Sequence, residues 1–306
     1  MLNTDSDLPS NLLFEKLLRF AEHILAIVRG QPVAALFLVE AVQGFELRSR
    51  DQRAFLLAGP TGVGKNTFIE HITSYLGIRL LRLNMSEFKT QESWDRLLGN
   101  AKTGYRGQLA LELEKSDCRL WLLFDEIEKG NPEFSDLLLQ ALDDSCGIIT
   151  TQLGEALDLR RCYIALTTNL GTKEVLELKH SSPEVIHDHI SQALKAYFRP
   201  ELLGRFREGV VLLNPLDAQA QREICVDKLE AKLKAQRELG RHITYQEELI
   251  WFLLREAKAT TQGGRGIHGA IDKWVGNAIT RAILKTRNQA VSGELVVEKS
   301  ETVVLQ

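Results

Sequence analysis

Leu13, Leu17, Phe20, Ile24 and Val28 recur at three- and four-residue spacing, which predicts an amphipathic helix over about residues 11–28, ended by Gly30. The same period continues over 32–48. At residue 54 it gives way to the unbroken apolar run AFLLA, then to a glycine-rich loop over 59–64 and a new helix from about 65. Further apolar runs of strand length follow at LLRLN (80–84), LWLLF (120–124), CYIALTT (162–168) and VVLLN (210–214), separated by helical stretches. Runs without polar alternation suit strands buried on both faces, so the expected class is α/β, a parallel sheet with helices on both sides. After Pro215 the pattern turns helical over 217–237, 246–258 and 267–287, and closes on two short alternating runs, ELVVEK and TVVLQ, that predict a terminal β-hairpin. The expected organisation is a frayed N-terminus at 1–10, a large domain at 11–214 and a smaller, mainly helical domain at 215–306. The polar stretch 172–186, with its Ser-Ser-Pro break, is expected to be a surface excursion.

Composition narrows the function classes more than the fold. The 306 residues are 44% hydrophobic and 26% charged, which excludes a collagen-like or wholly disordered chain. With 38 Lys+Arg against 41 Asp+Glu the formal net charge is −3, so no global positive field draws nucleic acid or an anionic membrane. Cys118, Cys146, Cys162 and Cys225 are far apart with no CxxC pair, which suits reduced core residues rather than a disulfide frame or a zinc site. The N-terminus has no basic and apolar leader, and no run approaches about 18 apolar residues, so a cytoplasmic protein without membrane spans is expected.

The chemistry begins at Gly59-Pro60-Thr61-Gly62-Val63-Gly64-Lys65, which follows an apolar strand and opens a helix. Glycines let the backbone amides turn inward around phosphate oxygens, the helix N-terminus adds its partial positive charge, and Lys65 is placed to reach the outer phosphates. The phosphates of a nucleotide are the expected ligand. The next position departs from the pattern: where a Ser or Thr hydroxyl usually ligates Mg²⁺ there is Asn66, and Thr67 one place on points about 100° away around the helix. Leu120–Phe124 runs into Asp125-Glu126, a strand exit with one acid to hold Mg²⁺ and a second to polarise an attacking water. Asn169, after Thr167-Thr168 at the tip of the next strand, is a candidate for the same water.

These segments together resemble a family, the Clp/Hsp100 AAA+ ATPases, and within it the second ATPase module of ClpB- and ClpA-type unfoldases. GPTGVGK (59–65), NMSEF (84–88), LFDEIEK (123–129), LLLQALDD (137–144), TTNLG (167–171) and FRPELLGRF (198–206) look like that module's segments in the same order. The resemblance implies an AAA+ large domain and a small C-terminal lid, ATP with Mg²⁺ as cofactors, and a homo-oligomeric, hexameric ring. It casts Val28 as an adenine contact, Pro60, Thr61, Gly62, Val63, Gly64, Lys65, Asn66 and Thr67 as nucleotide-binding, and Asn66 and Asp125 as the Mg²⁺ residues. Glu126, Lys65 and Asn169 become catalytic, Arg205 a finger acting across a subunit interface, and Arg265 of Gly263-Gly264-Arg265-Gly266 a sensor of the γ-phosphate. Gly104-Tyr105-Arg106-Gly107 stands where the family has its pore loop, so Tyr105 is the expected polypeptide contact and Arg106 would put a ring of positive charge beside it. Residues 172–195 lack the tripeptide that docks a protease ring.

The leading expectation is a stand-alone, ring-forming ATPase that remodels or threads polypeptides. Two other readings stay open: a nucleotide-dependent scaffold or switch with weak or no hydrolysis, motivated by Asn66, and a nucleic-acid-associated loader or regulator in which Arg106 tracks a phosphate backbone.

Overall fold

The computed structural model describes residues 11–143, 146–172, 182–286, 291–298 and 302–306. The expected frayed N-terminus and residues 173–181 of the expected surface excursion lie outside the described residues.

The helix expected over 11–28 is two helices, α1 (Asn11–Leu18) and α2 (Phe20–Ile27). Arg19 between them has φ −99° and ψ 4°, off the helical values, yet Leu17, Phe20 and Ile24 all stay buried. α3 (Pro32–Glu46) follows, with Pro32 in the first turn where no amide donor is required. β1 (Ala54–Ala58) then leads through the glycine loop to α4 (Lys65–Leu76) and β2 (Arg79–Asn84). α5 (Gln91–Leu98) and α6 (Gln108–Lys115) precede β3 (Leu120–Asp125), and α7 (Phe134–Ala141) follows it. A hairpin absent from the sequence expectation, β4 (Ile148–Thr150) with β5 (Ala156–Asp158), comes before β6 (Tyr163–Thr168), α8 (Pro183–Tyr197), α9 (Pro200–Phe206) and β7 (Val210–Leu212).

The main sheet runs β2-β3-β6-β1-β7 and every neighbouring pair is parallel. All its strands therefore end on one edge, which brings Asn84, Asp125, Thr168 and the loop after Ala58 to the same side; ligands of open parallel sheets bind at such edges. β1, β3 and β6 are buried along their whole lengths. Across them Trp121 stacks on Tyr163 with ring centroids 4.3 Å apart, and the Phe55 ring lies 6.0 Å from the indole.

Chain contacts divide the molecule into two compact units, Met1–Pro60 with Lys65–Leu213, and Thr61–Gly64 with Asn214–Gln306. In the second, α10 (Ala218–Glu238) opens on Asp217, whose side chain accepts from the Ala220 amide. β8 (His242–Tyr245), α11 (Glu247–Glu256), α12 (Ala259–Ala270), a π-helical turn at Ile271–Gly276 and α13 (Asn277–Lys285) follow, then β9 (Ser292–Val297) and β10 (Val303–Leu305). β9 and β10 form the expected antiparallel terminal pair, and β8 adds itself parallel to β9. α12 is broken at Gly263, whose φ of 54° and ψ of −145° lie outside the helical region. Cys162 and Cys225 are core residues as expected, but Cys118 is half-buried and Cys146 exposed, each lying outside the strands and helices.

Candidate functional site

The turn from β1 into α4 needs its glycines. Gly64 has φ 107°, and a Cβ on Gly59 would stand 2.6 Å from the Leu213 carbonyl oxygen. Lys65, the first residue of α4, is buried, and its ammonium folds back over the loop to donate to the carbonyls of Gly59 at 2.6 Å and Pro60 at 2.8 Å. It also donates to Asn169 Oδ1 at 2.8 Å, and Asn169 Nδ2 donates to Glu126 Oε1 at 3.3 Å. Lys65, Asn169 and Glu126, which the sequence places on three different segments, thus form one hydrogen-bonded row along the sheet edge.

Glu126 sits in the left-handed region, φ 58° and ψ 57°, a conformation that costs a non-glycine residue about 1–3 kcal/mol and concentrates at functional sites. Its amide donates to Thr167 Oγ1 at 3.1 Å, and its carboxylate pairs with Lys129 Nζ at 2.7 Å. Glu128, which the sequence reading left aside, accepts from the Asn169 amide at 3.1 Å.

Asp125 is buried at the end of β3, and its surroundings hold three surprises. Thr167, wholly buried on β6, donates its hydroxyl to Asp125 Oδ1 at 2.6 Å. Asn66 donates its amide nitrogen to Asp125 Oδ2 at 2.8 Å, so Asn66 and Asp125 do meet, but as donor and acceptor. Arg82 donates to the same Oδ2 at 2.5 Å while its other nitrogen reaches Glu70 on α4 at 3.2 Å. Burial pulls the Asp125 carboxyl upward, but the Thr167 hydroxyl, the Arg82 guanidinium and the Asn66 amide together hold it below the usual aspartate range. Asn66 Oδ1 is buried and accepts no hydrogen bond. Thr67 is exposed, away from this cluster.

The other expected residues lie apart. Val28 is buried at the end of α2. Arg205 on α9 is half-buried and pairs with Asp143 Oδ2 at 3.0 Å within its own chain. Arg265 is exposed on α12 in the second unit. Tyr105 is 43% exposed at the tip of a turn closed by Asn100, whose amide donates to the Tyr105 carbonyl at 2.7 Å. Arg106 does not present a bare charge: its guanidinium bonds Glu155 at 2.7 Å, beyond the end of β4, and Glu114 at 2.9 Å on α6. Gln152 also reaches Asp95 on α5 at 2.7 Å, so the Tyr105 turn and the β4–β5 turn are linked. Arg106→Val is therefore expected to raise amide hydrogen exchange over 100–107 and 151–155 together; a change confined to one turn would argue against the linkage.

Similarity to known proteins identifies the family. The AAA domain (Cdc48 subfamily) matches residues 50–209, which hold the glycine loop, the Asp125-Glu126 exit and Asn169. The chain belongs to the Clp/Hsp100 AAA+ family. It is 30% identical over 291 residues to the chaperone protein ClpB of Prochlorococcus marinus, 90% of this chain and 33% of that protein. It is 32% identical to ClpB of Meiothermus ruber, covering 88% of this chain and 33% of that protein, and 30% identical to heat shock protein 100 of Trypanosoma brucei brucei, covering 88% and 32%. This Clp/Hsp100 module thus spans about a third of the length of the relatives it matches. Its fold superposes on the Saccharomyces cerevisiae Hsp104–ADP complex with a TM-score of 0.81 at 25% identity, over 95% of this chain and 52% of that one. Against the closed state of Hsp104 with ATPγS and fluorescein-labelled casein the TM-score is 0.85 at 26% identity, over 97% and 52%. Among the described residues no helix is long and apolar enough to cross a membrane.

Proposed function

We propose that this chain is an ATP-binding module that assembles with copies of itself into a hexameric ring in the cytoplasm and works on polypeptides through Tyr105, with ATP turnover restrained at Asp125. The observation that carries the reading is the row from Lys65 through Asn169 to Glu126 at the edge of a parallel sheet, in a chain of the Clp/Hsp100 family. On binding, the phosphates would take the place that the Gly59 and Pro60 carbonyls hold at the Lys65 ammonium, and the loop amides would line their other side. Val28 would face the base. Glu126 is the group to orient and polarise a water, with Asn169 bonded to it as a second handle. Arg205, released from Asp143, would supply charge to the neighbouring subunit's nucleotide, and Arg265 would respond to the γ-phosphate.

The family also implies Mg²⁺. The residues that would hold it, Asn66 and Asp125, do not fit it as arranged: the atom Asn66 presents to Asp125 is an amide nitrogen, which has no lone pair to offer a cation. This observation favours slow turnover over brisk cycling, so the switch reading shares the site with the motor. The nucleic-acid reading loses support because Glu114 and Glu155 match the charge of Arg106.

The test joins assembly and substrate. With a slowly hydrolysed ATP analogue, the purified protein should sediment as a ring and bind labelled casein, used here as an extended polypeptide. Tyr105→Ala should keep the ring and lose roughly tenfold or more in casein affinity. A nucleotide-loaded protein that stays monomeric, or a Tyr105→Ala variant that binds casein as well as the wild type, contradicts the proposal.

A further inference from the structure

Both oxygens of the Asp125 carboxylate are engaged by the chain's own side chains, and one of these carries a positive charge. Asp125 Oδ2 accepts from Asn66 Nδ2 and from Arg82 Nη2, so both its lone pairs are used, and Oδ1 is engaged by Thr167. A serine or threonine hydroxyl at position 66 could donate to the carboxylate and keep lone pairs for a cation. An amide NH₂ does only the first. Turning the amide over would present Asn66 Oδ1 but set it against Asp125 Oδ2, acceptor facing acceptor. The guanidinium is held from both sides, bridging Asp125 on β3 and Glu70 on α4. It stands against the carboxylate where a dication would have to enter, and like charge there opposes entry.

An anionic nucleotide meets a second difficulty at such a site, since a bare carboxylate beside phosphates repels them. A divalent cation ordinarily removes that repulsion; here the guanidinium does so permanently. We propose that Arg82 stands in for the divalent cation, neutralising Asp125 and closing the metal position with the Asn66 amide, so that the chain binds ATP without Mg²⁺. The proposal rests on the nucleotide-binding reading above and adds to it a residue, Arg82, and a ligand, metal-free ATP. Arg82 is a positioning residue in this account, acting on the nucleotide through Asp125.

Binding of a fluorescent ATP analogue to the purified full chain, in excess Mg²⁺ and in excess EDTA, tests it without any measurement of turnover. The wild type should give the same Kd in both within about twofold. Arg82→Ala exposes Asp125, so its affinity in EDTA should fall about tenfold or more and recover with Mg²⁺, whereas Arg82→Lys should keep the wild-type pattern. A purely structural arginine would weaken both conditions alike. Wild-type affinity that drops tenfold or more in EDTA overturns the proposal, as does an Arg82→Ala variant that folds normally and remains indifferent to metal. Should Arg82→Ala fail to fold, the wild-type comparison and Arg82→Lys still decide. A wild type that binds the analogue in neither buffer removes the nucleotide reading itself, a different result from metal-dependent binding.

Discussion

Asn66→Thr, made together with Arg82→Ala to open the position the guanidinium closes, is expected to raise ATP turnover in Mg²⁺ about 10- to 100-fold over the wild type, whose rate should lie close to that of a Glu126→Gln blank. The hydroxyl of a threonine can donate to Asp125, as the Asn66 amide does at 2.8 Å, and still present lone pairs on its other side. The change at position 66 also removes the Asn66 carbonyl oxygen, which is buried without a hydrogen bond; such an orphan acceptor costs about 1–3 kcal/mol, so Asn66→Thr by itself should be no less stable than the wild type. Steady-state phosphate release by the double variant, the wild type and the blank, with thermal melting of Asn66→Thr beside the wild type, measures both effects. Wild-type turnover far above the Glu126→Gln blank would show that position 66 does not restrain the reaction, and would make this module a working motor as it stands.

The second large effect concerns the sheet that carries the site. Trp121→Ala should destabilise the first unit by about 3–5 kcal/mol, the range for emptying a large aromatic site in a core. Trp121 is wholly buried, stacks on Tyr163 at 4.3 Å and faces Phe55 at 6.0 Å, so three neighbouring strands lose their shared contact together. For a domain of this size the melting temperature should fall by roughly 6–20 °C. Trp121→Phe should cost much less, because the indole N–H is buried without a partner and its loss leaves nothing unpaired. A Trp121→Ala variant that melts within a degree or two of the wild type would mean the surrounding rings close over the gap.

The main strands were legible in the chain because strands buried on both faces read as plain apolar runs. The glycine loop was legible because few other sequences turn a strand into a helix that tightly. What escaped was set by pairing between distant segments. LLRLN read as a buried run, and nothing local says that Arg82 turns toward Asp125; only the register of β2 on β3, with Asn84 opposite Asp125, brings them together. The β4–β5 hairpin escaped because three-residue strands in a polar stretch carry almost no period. β8 escaped because its four residues are strand only by virtue of β9, some 50 residues on. Similarly, the pattern alone makes Arg106 a free charge, and Glu155 becomes its partner only through the fold.

The strand order also has a consequence in time. β1, from which the phosphate loop springs, pairs with β6 and β7 and with no strand near it in sequence. During synthesis, residues 54–58 emerge with neither neighbour made, and both are present only when residue 212 has left the ribosome. At about 5–20 residues per second that wait is roughly 8–30 s. Until Thr168 is made the apolar run Ala54–Ala58 has open edges on both sides, and from then until Leu212 on the β7 side, a segment that a nascent chain must keep from other partners until its own arrive.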